Sequence, residues 1–202
     1  MTRLLKVLSL GELQTNCFLL QEGESRKLIV VDPAEAGPVI TWCAESGFSV
    51  GCVLITHGHY DHIGGVSGIT EKFDCPVAAG SLEREMLADP DANYSAFFGL
   101  PVSLEPDIFL EDGADFCSLR VLHTPGHTPG GISLAGCGFV LAGDTLFRES
   151  VGRSDLPGGD HRQLITSIRD KLFPLPETFI VYPGHGAQTT IGHEKMHNPF
   201  LE

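Results

Sequence analysis

The chain has 202 residues, enough for one domain with a sizeable core. Hydrophobic residues make up 42% of it and glycine fills 24 positions, which suits a folded protein with many tight turns and excludes a disordered one. Thirteen basic residues against 26 acidic ones give a formal charge of −13 and a pI near 5.0, a surface that repels phosphate backbones and argues against nucleic acid as a partner.

The first residues, Met1 to Leu10, break their apolar run with Lys6 and lack a small-residue cleavage site, so they read as a strand and not as a signal peptide. No apolar run reaches membrane-spanning length, which predicts a cytoplasmic protein with no membrane partner. Residues 3–10, 16–21 and 27–31 read as three strands separated by Gly11-Glu12 and Glu22-Gly23-Glu24. Asp32 follows the third strand and precedes a helical stretch over 34–46. It is either the cap of that helix or a carboxylate that orients a neighbouring metal ligand.

The stretch 53–65, Val-Leu-Ile-Thr-His-Gly-His-Tyr-Asp-His-Ile-Gly-Gly, carries the strongest signal. An apolar β-branched run reads as a buried strand, and it breaks into four metal-ligand side chains within six positions. Side chains two apart on extended backbone point the same way, so His57 and His59 can converge on one cation. Asp61 and His62 lie past the turn and suit a second. Gly58, Gly64 and Gly65 are expected to supply the backbone angles of a tight loop.

Helix is predicted over 62–72, a short strand over 76–78 and a helical piece over 81–88. This alternation argues for an α/β layered fold. Residues 89–111 lose periodicity, and their aromatics, Tyr94, Phe97 and Phe98, either plug a satellite core or line a substrate mouth. A strand from Phe116 to Leu122 leads to the turn Thr124-Pro-Gly-His127-Thr-Pro-Gly130. Strands over 132–135 and 138–142 follow, the second ending in Gly143-Asp144-Thr145. A helix over 160–172, a strand over 178–182 ending in Pro183-Gly184-His185-Gly186, and a short helix or coil near 194–198 complete the chain. The six cysteines contain no C-x-x-C pair and read as reduced core residues.

One arrangement recurs: an apolar strand, a glycine or proline turn, then a ligand side chain. It occurs at His57/His59, His127, Asp144 and His185. A catalytic tetrahedral ion takes three protein ligands and a water, so seven ligands are too many for one ion and suit two. The allocation that follows is His57, His59 and His127 on one ion, and Asp61, His62 and His185 on the other, with Asp144 bridging. A metal-bridging water, ionised toward neutral pH, would be the nucleophile, with Asp61 as a proton acceptor. The nitrogen and oxygen ligands suit two divalent ions, zinc first, with iron or manganese as alternatives. Arg153, in Gly152-Arg-Ser-Asp155, is either a clamp for a substrate carboxylate or the partner of Asp155. Tyr182 either faces the pocket or packs in the core, and His123 reads as structural.

T-H-G-H-Y-D-H, T-P-G-H-T-P-G, G-D-T-L-F and P-G-H-G, in this order, resemble the metallo-β-lactamase superfamily, and within it the short glyoxalase II-like (hydroxyacylglutathione hydrolase-like) enzymes. The resemblance implies one domain over 1–202, a four-layer αβ/βα sandwich of two mixed β-sheets flanked by helices, with the metals at one edge between the sheets. It carries the dinuclear ligand roles to the same seven residues. It implies hydrolysis of a small-molecule thioester, S-lactoylglutathione or a related hydroxyacyl thioester. Against the larger glyoxalase II enzymes, the chain is expected to lack their C-terminal helical domain, the source of basic residues for glutathione. Asp144 stands where the commonest zinc β-lactamases use cysteine, which counts against antibiotic hydrolysis. Two rivals remain: a persulfide dioxygenase with one iron held by two histidines and an aspartate, and a non-catalytic metal-binding protein. The oligomeric state is not legible in the chain.

Overall fold

Leu28 and Val30 point to one side of the third strand and Ile29 and Val31 to the other, and all four are buried. A strand buried on both faces must lie between two layers. In the computed structural model, which describes residues 1–201, six strands form the first sheet in chain order. They are β1 (Thr2–Leu10), β2 (Thr15–Glu22), β3 (Lys27–Val31), β4 (Ser49–Ile55), β5 (Val77–Gly80) and β6 (Ile108–Leu110). The first three are antiparallel, and β3 to β6 are parallel. The crossovers carry α1 (Ala36–Ser46), α2 (Tyr60–Ile63), α3 (Val66–Phe73) and α4 (Arg84–Ala88).

The second sheet has the order β14-β13-β10-β9-β8-β7. Its strands are β7 (Asp115–Phe116), β8 (Leu119–His123), β9 (Ile132–Ala135), β10 (Phe139–Gly143), β13 (Ile180–Pro183) and β14 (Thr189–Thr190). A small hairpin, β11 (Leu146–Phe147) and β12 (Ser150–Val151), stands apart. On this sheet's outer face lie α5 (His161–Ser167), a π-helical turn over Ile168–Leu172, and α6 (Ile191–His197). Three apolar layers result. Val39, Cys43 and Ile69 pack under the first sheet, and Phe18, Leu54, Leu134 and Leu141 fill the space between the sheets. Leu164, Ile168 and Ile191 cover the second sheet. This is the expected four-layer sandwich of mixed sheets. Among the described residues no helix is long and apolar enough to cross a membrane.

Several local expectations change. The strand over 116–122 is a hairpin, because Cys117 and Ser118 turn the chain with φ of 51° and 60°. The helix over 62–72 is two helices, α2 and α3, with Gly64 and Gly65 between them. Those glycines do not supply unusual angles, since φ is −58° and −91°. They supply space: a Cβ on Gly65 would lie 2.5 Å from the carbonyl carbon of Glu35, and one on Gly58 would lie 2.9 Å from Met86 Cγ. Strands β6, β11, β12 and β14, at two or three residues each, are too short to leave a periodic signal in the sequence.

Residues 89–111 are ordered by polar side chains instead of by periodicity. Buried Asn93 accepts from the Ser95 amide and donates to the Val102 carbonyl, and the Ser95 hydroxyl accepts from the Val102 amide. The Tyr60 amide donates to the Asn93 carbonyl at 2.9 Å, which ties this segment to the His-rich loop. Its aromatics plug no satellite core, for Phe97 is 83% exposed and lines a cavity with Tyr94 and Phe98.

Candidate metal centre

Five of the seven sequence-predicted ligands sit in loops past the end of a core strand, and the other two lie in a short helix beside them. His57 and His59 follow β4, and Asp61 and His62 open α2. Asp144 follows β10 and His185 follows β13, the two strands being parallel neighbours. His127 lies in the loop between β8 and β9. A bridge between Thr15 and His185, and the Asn16 amide donating to the Gly184 carbonyl at 2.7 Å, join the two sheets at this edge. All seven side chains come together there.

They form overlapping groups: His57, His59 and His127; Asp61, His62 and His185; and His57, His62 and Asp144. Nδ1 of His59 lies 2.9 Å from Nε2 of His127, which lies 3.2 Å from Nε2 of His57. Across the site His62 Nε2 and His185 Nε2 are 3.4 Å apart. Ligand nitrogens at about 2.0–2.1 Å from a tetrahedral ion stand roughly 3.3 Å from one another. Asp144 touches both sides, with Oδ1 3.5 Å from His62 Nε2 and Oδ2 3.6 and 3.5 Å from Nε2 of His127 and His185. Its Oδ1 is buried and has no hydrogen-bond partner. Buried polar atoms are nearly always satisfied, so an acceptor left open among converging imidazole nitrogens fits a cation.

The outward nitrogens are all engaged in four of the five histidines. His127 Nδ1 donates to the Arg153 carbonyl at 2.7 Å and His185 Nδ1 to the Leu13 carbonyl at 3.0 Å. His62 Nδ1 meets Asp32 Oδ2 at 3.0 Å, and His57 Nδ1 meets the Thr56 hydroxyl at 3.2 Å. A metal-binding histidine is oriented in this way by whatever its other nitrogen bonds. Asp32 is therefore the orienting carboxylate, and the helix cap position falls to Glu35.

Electrostatics divide the cluster. Burial, with the neighbouring imidazoles, holds His57 well below the ordinary histidine range and brings His59 down to about 3. Burial likewise lowers His127. Burial works the same way on His62 and His185, but carboxylates outweigh it: Asp32, Asp144 and Asp61 raise His62, and Asp61 and Asp144 raise His185. Burial would raise Asp61, yet His62, His185 at 3.1 Å and the Thr15 hydroxyl at 3.0 Å hold it well below the usual carboxylate range. A carboxylate held ionised in this way suits a metal ligand.

Glu83 is a residue that sequence reading passed over as part of a helical piece. It is buried, and its carboxylate accepts from the Gly58 amide at 2.8 Å, the Gly130 amide at 2.8 Å and the Thr128 hydroxyl at 3.2 Å. It thereby ties the loop of His57 and His59 to that of His127. Nothing in Ser-Leu-Glu-Arg-Glu marks it, since both loops reach it only in the fold.

The centre opens into a cavity of ≈ 790 Å³ lined by His59, Asp61, His127, Asp144 and His185 together with aromatic rings. Arg153 lines it, but its guanidinium makes two 2.9 Å hydrogen bonds to Asp155. Tyr182 lies away from the cavity, in edge contact with Phe18 and Phe139 between the sheets. His123 Nε2 bonds the Pro129 carbonyl at 3.0 Å and shapes the His127 loop.

Comparisons with known proteins agree with this architecture. The family model of the metallo-beta-lactamase superfamily matches residues 10–185. The crystal structure of BLEG-1 B3 metallo-beta-lactamase superposes with a TM-score of 0.90 at 39% identity, covering 100% of this chain and 99% of that one. TTHA1623 in a di-iron-bound form gives a TM-score of 0.89 at 36% identity over 98% and 100% of the two chains. The hydroxyacylglutathione hydrolase GloC of Haemophilus influenzae is 34% identical over 98% of this chain and 97% of its own length. With its His/Asp cluster at the common edge of two helix-backed sheets, the chain belongs to the metallo-β-lactamase superfamily.

Proposed function

We propose that this protein is a dinuclear metal-dependent hydrolase of thioesters, S-lactoylglutathione or a related hydroxyacyl thioester being the substrate. The observation that carries the reading is the tethering of four imidazoles from outside, so that their free nitrogens, with Asp61 and Asp144, converge on a centre that faces a cavity. The likeness to GloC, named a hydroxyacylglutathione hydrolase, supports the acyl–sulfur bond as target.

His57, His59 and His127 would hold one cation, Asp61, His62 and His185 the other, and Asp144 both. When bound, the cations supply Lewis acidity and a water ionised near neutral pH. The buried histidines on the first side are neutral and so present lone pairs without prior loss of a proton. Asp61, ionised and anchored by Thr15, keeps its charge at the cavity floor. In the overall reaction water adds to the acyl carbon, the carbon–sulfur bond breaks, and sulfur leaves with the electron pair and takes up a proton. A thiol with a pKa near 8.5 is a good enough leaving group that no strong acid is required of the chain.

The test is hydrolysis of S-lactoylglutathione by protein of measured zinc, iron and manganese content, beside thioesters of other thiols. Hydrolysis that tracks the filling of two sites supports the proposal. Oxygen uptake on glutathione persulfide by a one-iron form would replace it with the dioxygenase reading. Failure of every metal-loaded form to cleave any thioester removes it.

A further inference from the structure

The walls around the centre have a chemistry of their own. Tyr60, between two ligand positions in sequence, stacks on Phe98 with ring centroids 4.0 Å apart and 20° between planes. Phe97 meets Phe98 edge-on at 5.3 Å, and the Tyr94 ring lies 5.8 Å from that of His59. Phe147, which lines the same cavity, stands 6.3 Å from His185. Phe97 is 83% exposed, Leu13 52% and Phe98 49%, so this apolar surface meets water when the cavity holds no ligand. A contiguous apolar lining that starts at the reacting centre fits a ligand with an apolar body.

Charge points the same way. A second cavity of ≈ 800 Å³ adjoins the first and shares Glu12, Tyr60, Asp61 and Phe98 with it. Among the described residues lining the two, Arg153 is the single guanidinium or ammonium, and Asp155 already pairs with it. Glu12, Glu35 and Asp61 line the same walls. A thiol carrier with several carboxylates or phosphates would meet the Glu12 and Glu35 carboxylates there, and like charges brought together cost affinity.

We infer that the preferred substrate is a thioester with an aromatic acyl group on a thiol arm without net negative charge. This rests on the thioester reading and narrows it. The rings of Phe97, Phe98 and Phe147 would cover the acyl group while its carbonyl lies over Asp144 and His127. A planar ring gains from edge or offset contacts beyond its area alone.

Four thioesters separate the two features: lactoyl and mandeloyl groups, each on glutathione and on N-acetylcysteamine, offered to the metal-loaded protein. Mandeloyl is expected to exceed lactoyl in kcat/KM by about tenfold or more on either thiol. Glutathione is expected to give no advantage over N-acetylcysteamine. The Phe97→Ser/Phe98→Ser variant should reduce the mandeloyl-to-lactoyl ratio at least about threefold. A ketone analogue of the mandeloyl thioester, with CH₂ inserted between carbonyl and sulfur, should bind in calorimetry more tightly than its lactoyl counterpart. Equal or greater efficiency with S-lactoylglutathione overturns this inference and leaves thioester hydrolysis standing. No cleavage of any of the four overturns both. A dimer in sedimentation that the double variant dissociates would show that the rings cover a second copy, and would also overturn it.

Discussion

Asp32 and His62, thirty positions apart, are joined in the buried floor of the site: Oδ2 of the carboxylate lies 3.0 Å from Nδ1 of the imidazole. The same oxygen accepts from the Thr56 hydroxyl at 2.6 Å, and Oδ1 accepts from the Thr56 amide at 2.8 Å. Asp32 holds a φ of 52°, a left-handed angle uncommon for a residue with a side chain. Three hydrogen-bonding atoms thus hold its carboxylate against its own backbone preference, and the imidazole it orients turns Nε2 inward. Backbone strain kept at such a point suits a residue that positions others.

Replacing Asp32 with alanine removes the acceptor of His62 and leaves the Thr56 amide without one. Metal affinity should fall by about 10–100-fold. Asp32→Asn, which retains one oxygen, should lose less. Equilibrium dialysis against a chelator measures both, and unchanged affinity in Asp32→Ala would remove the orienting role.

Glu83→Ala leaves two amides and a hydroxyl in the core without an acceptor, each worth about 1–3 kcal/mol when unsatisfied. A marked fall in Tm is expected, with weaker binding at the His57/His59/His127 group than at the other. Burial pushes Glu83 up to about 7, against the pull of its three donors. A carboxyl raised on folding stabilises the folded state most below its unfolded value near 4.5 and loses that contribution as pH climbs toward 7. The Glu83→Gln variant should therefore show a flatter stability profile than wild type between those limits.

Metal uptake should depend on pH differently at the two groups. His57, His59 and His127 are held neutral, so their cation displaces few protons. His62 and His185 are raised in the metal-free protein, and a cation must drive their protons off. Affinity there rises with pH, and acidification should empty that side first. Calorimetric titrations in buffers of different ionisation enthalpy count the protons, and equal release for both equivalents would contradict the division.

Gly184 faces Asp144 so closely that an added Cβ would lie 2.1 Å from Oδ1 and 2.8 Å from His62 Cε1. Gly184→Ala must displace the carboxylate expected to serve both cations. Cooperative unfolding should persist, since the sheets are untouched, while the protein binds fewer than two metal equivalents. Full loading of this variant would argue against the bridging position.

The converging ligands were legible because five of the seven, His57, His59, His127, Asp144 and His185, follow an apolar run and stand next to a glycine, and Asp61 and His62 lie within three positions of His59, a local pattern that survives without coordinates. The long strands and the layered α/β arrangement were legible for the same reason: β3, β4 and β10 alternate between two buried faces, and the residues themselves record it. The sequence by itself thus determined which atoms are offered to the metals and which strands carry them. Only the tertiary structure decided what stands behind and in front of them. Asp32 reaches His62, Glu83 reaches two loops, and Tyr182 turns into the core because packing of distant segments, and not spacing along the chain, sets those contacts. The same holds for the aromatic lip. Asn93 and Ser95 fold residues 89–111 through side-chain hydrogen bonds that have no period, so no reading of alternation could place Phe97 and Phe98 beside the centre.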